Sequence, residues 1–187
     1  KQKTAYEIGV RLVGSEMCIR DRHNMAGVWV TRGELERAIR MYQQALDIDE
    51  QLGALQGKSA TLHQMAGVWV TRGELERAMD LYRQSLDINE QFGDLQGKSA
   101  TLANMAYILA RHGRTDEALS RYAESLDIST RLGDHFGAAN VMGMIGDALA
   151  GRSEYARALR AFIESLNAAL RVGGISAALM MAARRSS

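Results

Sequence analysis

Between residues 62 and 92 the apolar positions recur with the period of an α-helix. Leu62, Met65, Ala66 and Trp69 fall three and four apart, which puts them on one face of a helix. Gly73 interrupts the pattern, and a glycine there predicts a helix closed by a left-handed residue. A second run, Leu75, Ala78, Met79, Tyr82, Ser85, Leu86 and Ile88, predicts another helix, ended by Gly93. Asp94 is then placed to cap a third helix through its carboxylate. Glu74, Glu76 and Arg77 open the second helix, where carboxylates suit the positive end of the helix dipole. They read as capping groups and not as catalytic ones.

The pattern returns every forty residues. The string MAGVWVTRGELERA stands at Met25–Ala38 and, unchanged, at Met65–Ala78. Met105 and Ile145 continue one column, Ala118 and Ala158 a second, Tyr122 and Phe162 a third; Gly33 and Gly113 match Gly73, while Ser153 departs. A period of this length predicts an all-α protein, an α-solenoid of antiparallel helical hairpins. Counted from the end of the first 22 residues, the repeats are 23–60, 61–100, 101–140 and 141–180, with 175–187 beginning a further helix. Met65, Ala66, Trp69, Ala78, Tyr82, Ala118, Tyr122, Ala158 and Phe162 are the expected repeat core. Ala66 and Ala78 are small where two helices should cross, so a bulky residue at Ala78 should cost roughly 1 to 3 kcal/mol.

Leu62, Met65, Ala66, Trp69, Gly73, Ala78 and Tyr82 together resemble the spaced large, small and aromatic positions of tetratricopeptide repeats. HEAT and armadillo repeats share the period, but a small residue at Ala78 with an aromatic four later is a tetratricopeptide feature. The usual tetratricopeptide repeat has about 34 residues. Six more correspond to about 9 Å of added helix, and endings of the type LDINEQFGD resemble the long-repeat subclass of kinesin light chains and bacterial regulators. The resemblance implies a right-handed superhelix whose inner wall, built from first helices, holds a partner. His63, Val70, Thr71, Tyr107, Arg111 and Asp147 are then the expected partner-binding groove. The lysine and asparagine cluster that holds a chaperone's terminal carboxylate is missing from these positions. Apolar contact with an extended or helical segment, anchored by Tyr107, Arg111 and Asp147, is expected instead.

The first 22 residues interrupt the repeat. KQKTAYEI, followed after three residues by LVGSEMCIRD, resembles translated sequencing adapter, so Lys1–Arg22 is read as a non-native segment and 23–187 as the array. That segment holds five of the 23 basic and three of the 22 acidic residues. Without it the chain is slightly acidic, which leaves no basic stripe for nucleic acid or anionic membrane. Cys18 goes with it, leaving no disulfide framework or thiol nucleophile. No apolar run reaches the roughly 20 residues of a membrane helix, and a cytoplasmic address is expected.

Several motifs suggest chemistry that their surroundings do not support. Gly57, Lys58 and Ser59, repeated as Gly97, Lys98 and Ser99, lack the glycine spacing and preceding strand of a phosphate loop. These glycines are expected in the turn between repeats, with solvated lysines. His23 and His63 have no acidic or histidine partner at zinc-site spacing, and His112 and His135 read as surface residues. Trp29 and Trp69 are expected in packing. The sequence thus predicts a non-enzymatic protein-interaction module without cofactor or metal, a scaffold or regulatory segment of a larger protein with a protein or peptide partner. The alternative is the peptide or small-ligand sensor arm of a bacterial regulator. The last helix has no partner in sequence, so the ends are expected to self-associate.

Overall fold

The computed structural model describes residues 21–173, with side chains through Leu170. Lys1–Arg20 and 174–187, and with them most of the adapter-like segment and the further helix, lie outside the described residues. Eight helices make up the described chain: α1 (21–31), α2 (Leu35–Leu52), α3 (Leu55–Arg72), α4 (Leu75–Phe92), α5 (Leu95–Arg111), α6 (Thr115–Arg131), α7 (His135–Gly151) and α8 (Tyr155–Gly173). No strand occurs among the described residues. They divide at Gly93 into two compact units, one ending with α4 and one beginning with α5.

Each unit is built from the predicted hairpins. In the first, α3 packs along α4, and α2 along α3; in the second, α5 pairs with α6, α7 with α8, and α6 lies against α7. The α3–α4 crossing is made by Ala66 and Ala78, both with no exposed surface, beside buried Leu62, Met65 and Tyr82. Small side chains there let the backbones approach, and large ones beside them fill the gap. Ala118, Tyr122 and Ala158 are buried as well. Trp69 and Phe162 are only half-buried. Trp69 and Trp29 pack against Ala26, Ala38, Tyr42 and Val68.

The turns follow the glycine pattern. Gly73 closes α3 at φ +85°, its N–H directed to Trp69 and Val70 carbonyls. Ser153 takes the same left-handed conformation at φ 63°, alone among the described non-glycine residues. Asp94 and Asp134 cap α5 and α7, accepting from Gly97 and Gly137 N–H at 2.9 and 2.8 Å. The hairpins run from one glycine turn to the next, so the units counted from 61, 101 and 141 begin inside first helices.

Two expectations change. Glu74 occupies the N-cap of α4 but makes no side-chain capping bond. Its carboxylate instead bridges Arg72 and Arg77, both at 2.8 Å, and those two guanidiniums lie over the Trp69 ring at 5.1 and 4.8 Å. Arginine is a nearer and stronger partner than the exposed helix end. Gly57 and Gly97 sit in the first turns of α3 and α5, not in the turns between helices. Lys58 pairs with Glu50 at 2.7 Å and Lys98 with Glu124 at 2.9 Å.

Ser59 and Ser99 are buried and form a feature the sequence did not announce. Ser85 Oγ donates to the Ser59 carbonyl at 3.0 Å, and Ser59 Oγ reaches Asn89 Oδ1. Ser125 donates to Ser99 carbonyl at 2.8 Å, Ser99 Oγ lies 2.8 Å from Ser129 Oγ, and Ser165 donates to Ala139 carbonyl at 2.7 Å. The α3–α4, α5–α6 and α7–α8 hairpins are thus each locked near the open end by small hydroxyls that cross without widening it.

Candidate binding cavity

The second unit contains a cavity of about 480 Å³ between α5, α6 and α7. Tyr107, Ala110 and Arg111 line it from α5, Thr115 and Tyr122 from α6, and Phe136, Asn140, Met144, Asp147, Ala148 and Gly151 from α7. The forty-residue register explains the space. Ala148 stands where the earlier first helices carry Val68 and Ile108, and Gly151 where they carry Thr71 and Arg111. Losing that bulk on α7 leaves room that the equivalent columns fill elsewhere.

The cavity wall is mixed. Phe136 is 55% exposed, so an aromatic face is available beside Met144 and Ala148. Arg111 is steadied by Tyr107: its Nη1 donates to the Tyr107 hydroxyl at 3.1 Å and its guanidinium lies 5.9 Å from the ring centre. Tyr122 is buried at the inner end. Burial, then the charges of Asp147 and Tyr107, push its phenol well above the ordinary tyrosine range, so it stays a neutral hydroxyl at any physiological pH. Asn140 adds an amide that can both donate and accept.

Of the predicted groove residues, the structure brings Tyr107, Arg111 and Asp147 together here. His63, Val70 and Thr71 belong to α3 in the first unit and do not line this cavity. The His63 ring stands edge-on to Tyr82, centroids 5.2 Å apart, and burial lowers its pKa. Thr71 is exposed and bonds back to the Gly67 carbonyl at 3.0 Å. Phe136, Asn140, Met144 and Ala148 were missed, although comparing Ala148 with its Val68 and Ile108 column would have located the gap.

A second polar cluster lies in the first unit. His23 Nε2 is 2.9 Å from Thr61 Oγ1, which lies 2.8 Å from Asp49 Oδ2. Thr61 and Asp49 are almost wholly buried, and Asp49 Oδ1 has no hydrogen-bond partner. Burial raises the Asp49 carboxyl, against the lowering pull of Thr61 and His23, and lowers the His23 imidazole. With the Thr61 hydrogen given to Asp49, His23 Nε2–H donates to Thr61. The histidine therefore does not bridge the hydroxyl and the carboxylate, as an activating base would, and Thr61 has no surface for a substrate to reach. No group of three or more potential metal ligands occurs among the described residues, and no described helix is long and apolar enough to cross a membrane.

The tetratricopeptide repeat family matches the chain over residues 18–91 and 98–171. The chain belongs to the tetratricopeptide repeat family. The first match begins within the adapter-like segment, at Cys18, and the second runs to residue 171, within the last turn of α8. No curated protein matches the chain. Among solved structures, BtubC (BKLC) from P. vanneervenii is similar at TM-score 0.73 and 15% identity, over 86% of this chain and 66% of that one. A Rap protein complexed with Competence and Sporulation Factor is similar at TM-score 0.73 and 16% identity, over 81% of this chain and 43% of that one. A Podosopora anserina protein described as a kinesin light chain with nearly identical TPR-like repeats gives TM-score 0.63 and 14% identity, over 83% and 76%. The chain thus spans less than two thirds of the first two, and these likenesses establish fold. Tetratricopeptide folds are in general non-enzymatic and mediate protein interaction, and the repeats of this chain support a protein-interaction role.

Proposed function

We propose that the second unit holds a short extended segment of a partner protein in the cavity between α5, α6 and α7. The observation that carries this reading is the combination, in one 480 Å³ space, of an exposed Phe136 face with Arg111, Asn140 and Asp147 at its edge. That volume lies within the range of about 300 to 1,000 Å³ typical of ligand pockets. Apolar wall supplies contact area; a few convergent polar groups set orientation. Asn140 can pair with peptide backbone, while Arg111 and Asp147 offer opposite charges one helical turn apart in register.

The test is a displayed peptide library selected on the full chain, followed by titration of enriched peptides against Ala148→Ile. Isoleucine is the residue the third repeat already carries in this column, so the variant should fold while filling the cavity. Enriched peptides should lose affinity at least about tenfold. Unchanged affinity in Ala148→Ile would move the binding site elsewhere.

The likeness to the Rap complex supports a second reading, the sensor arm of a bacterial regulator. Trp29 and Trp69 belong to the first unit and do not line the cavity. A change in their fluorescence on peptide binding would favour the sensor, and a silent titration the scaffold.

A further inference from the structure

The cavity between α5, α6 and α7 is long, and its two ends differ. Phe136, Asn140, Met144 and Asp147 follow one another at spacings of four, four and three, so one face of α7 runs along it. Phe136 and Asp147 stand about 16 Å apart along the helix, the span of about five residues of extended chain. Both ends depart from the repeat. The column of Phe136 holds Gln56 on α3 and Gln96 on α5, and the columns of Tyr107 and Arg111 hold Gly67 and Thr71 on α3. One end thus gains an exposed aromatic ring, the other a cation.

The cation is held in place without a counter-charge. The forty-residue register puts Tyr107 level with Asp147, and the hydroxyl and ring of Tyr107 draw the Arg111 guanidinium back toward that level. Among the described residues Arg111 makes no ion pair. The arginines nearby in sequence are matched: Arg114 pairs with Glu117 at 2.6 Å, and Arg152 with Asp116 and Glu154. Asp147, the carboxylate in the same wall, already interacts within the protein. The α6 helix starts here too, with Gly113 and Thr115 in the wall, and its positive end adds to the field of Arg111. An arginine fixed through one N–H keeps others for a carboxylate, which it holds more strongly than a neutral acceptor.

Resting on the reading that this cavity takes an extended partner segment, we propose that the segment carries two anchors: a large apolar side chain on Phe136 and, about five residues away, an aspartate or glutamate on Arg111. The two divergent ends select the spacing and the charge, while Asn140 and Met144 face the residues between.

A displayed peptide library selected on the full chain should enrich sequences with an acidic residue about five positions from a large apolar one. Selection on Arg111→Glu should replace the acidic residue by lysine or arginine and keep the apolar anchor. Selection on Phe136→Gln, which restores the α3 and α5 residue, should lose the apolar anchor and keep the acidic one. Arg111→Thr, the α3 residue, should weaken an enriched peptide roughly threefold to fivefold at low salt, a difference that shrinks as salt is raised; it serves if the charge reversal disturbs folding. Ala148→Ile separates this proposal from the reading beneath it. If that variant weakens the peptides while Arg111→Glu enriches the same sequences as the wild type, or if no acidic residue keeps a fixed distance from the apolar one, the cavity binds and the two-anchor proposal is overturned. If Ala148→Ile leaves affinity unchanged, or no peptide is enriched, the cavity reading falls and the proposal with it.

Discussion

Replacing Asp49 by Asn tests how the first unit tolerates a buried carboxylate. Asp49 is 1% exposed, and only Oδ2 is paired, with Thr61. A Cβ on Gly57 would stand 3.0 Å from the Asp49 carboxyl carbon, so the unpartnered Oδ1 lies against a helix surface where no side chain meets it. Leaving a buried acceptor unmet costs about 1 to 3 kcal/mol, more when it is charged. Asparagine is nearly isosteric, keeps an oxygen for Thr61 and is the residue α4 uses at the same column, Asn89. Its unmet amide hydrogen returns part of the gain, leaving about 1 kcal/mol near neutral pH, or roughly 2 to 4 °C in Tm for a chain of this size. The pH dependence carries the sign. Burial raises the Asp49 pKa, so the folded chain binds that proton more tightly than the unfolded one. Stability from this group is full below the unfolded value, about 3.9, and is lost as pH rises through the folded one. His23, lowered by burial, acts at the other end: its contribution is present above the unfolded value and is lost as pH falls through about 6.5 and below. Thermal denaturation of both proteins between pH 4 and 8 should therefore show the Asn variant pulling ahead as pH rises. An advantage equal at both ends, or an Asn variant less stable at pH 8, would refute the reasoning.

Three further substitutions use the chain's own repeats as controls. Ser153→Gly should raise stability by about 1 kcal/mol, measured by denaturant titration, because a left-handed conformation strains any residue with a Cβ and glycine occupies this column three times. Gly146→Ala should lose about 1 kcal/mol despite alanine's better helix propensity, since its Cβ would meet the Phe162 ring, with Cζ at 2.9 Å. Pairing it with Phe162→Leu should then cost less than the sum of the single changes. Ser85→Ala removes the bond to Ser59 carbonyl in a fully buried position and should cost about 1 to 3 kcal/mol, read as a lower denaturation midpoint; an unchanged midpoint would show that the serine crossing contributes nothing.

Periodicity made the hairpins legible because every first and second helix buries a stripe three and four residues wide, and the glycine turns follow from backbone sterics alone. The serine crossing was not legible in the same way. Ser85 falls in the apolar periodicity and could be placed inside, but its partner Ser59 belongs to a string that imitates a phosphate loop, and only the packed hairpin shows the two hydroxyls exchanging bonds. Glu74 went astray for a related reason: local sequence places it at a helix start, whereas its partners Arg72 and Arg77 are fixed by how Trp69 turns its ring.

The cavity follows a different logic, in which departures from the repeat are the informative positions. Columns that stay constant, such as Ala38, Ala78, Ala118 and Ala158, are occupied by packing and have no freedom to recognise anything. Three of the columns that change between α3, α5 and α7 are Gly67, Tyr107 and Asp147; Thr71, Arg111 and Gly151; and Val68, Ile108 and Ala148. Their members Tyr107, Asp147, Arg111, Gly151 and Ala148 line the cavity of the second unit. In a chain this repetitive a binding surface must break the pattern, because an identical repeat can only offer identical contacts. On the function proposed above, the half that repeats most faithfully supplies the scaffold, and the half that diverges supplies the binding cavity.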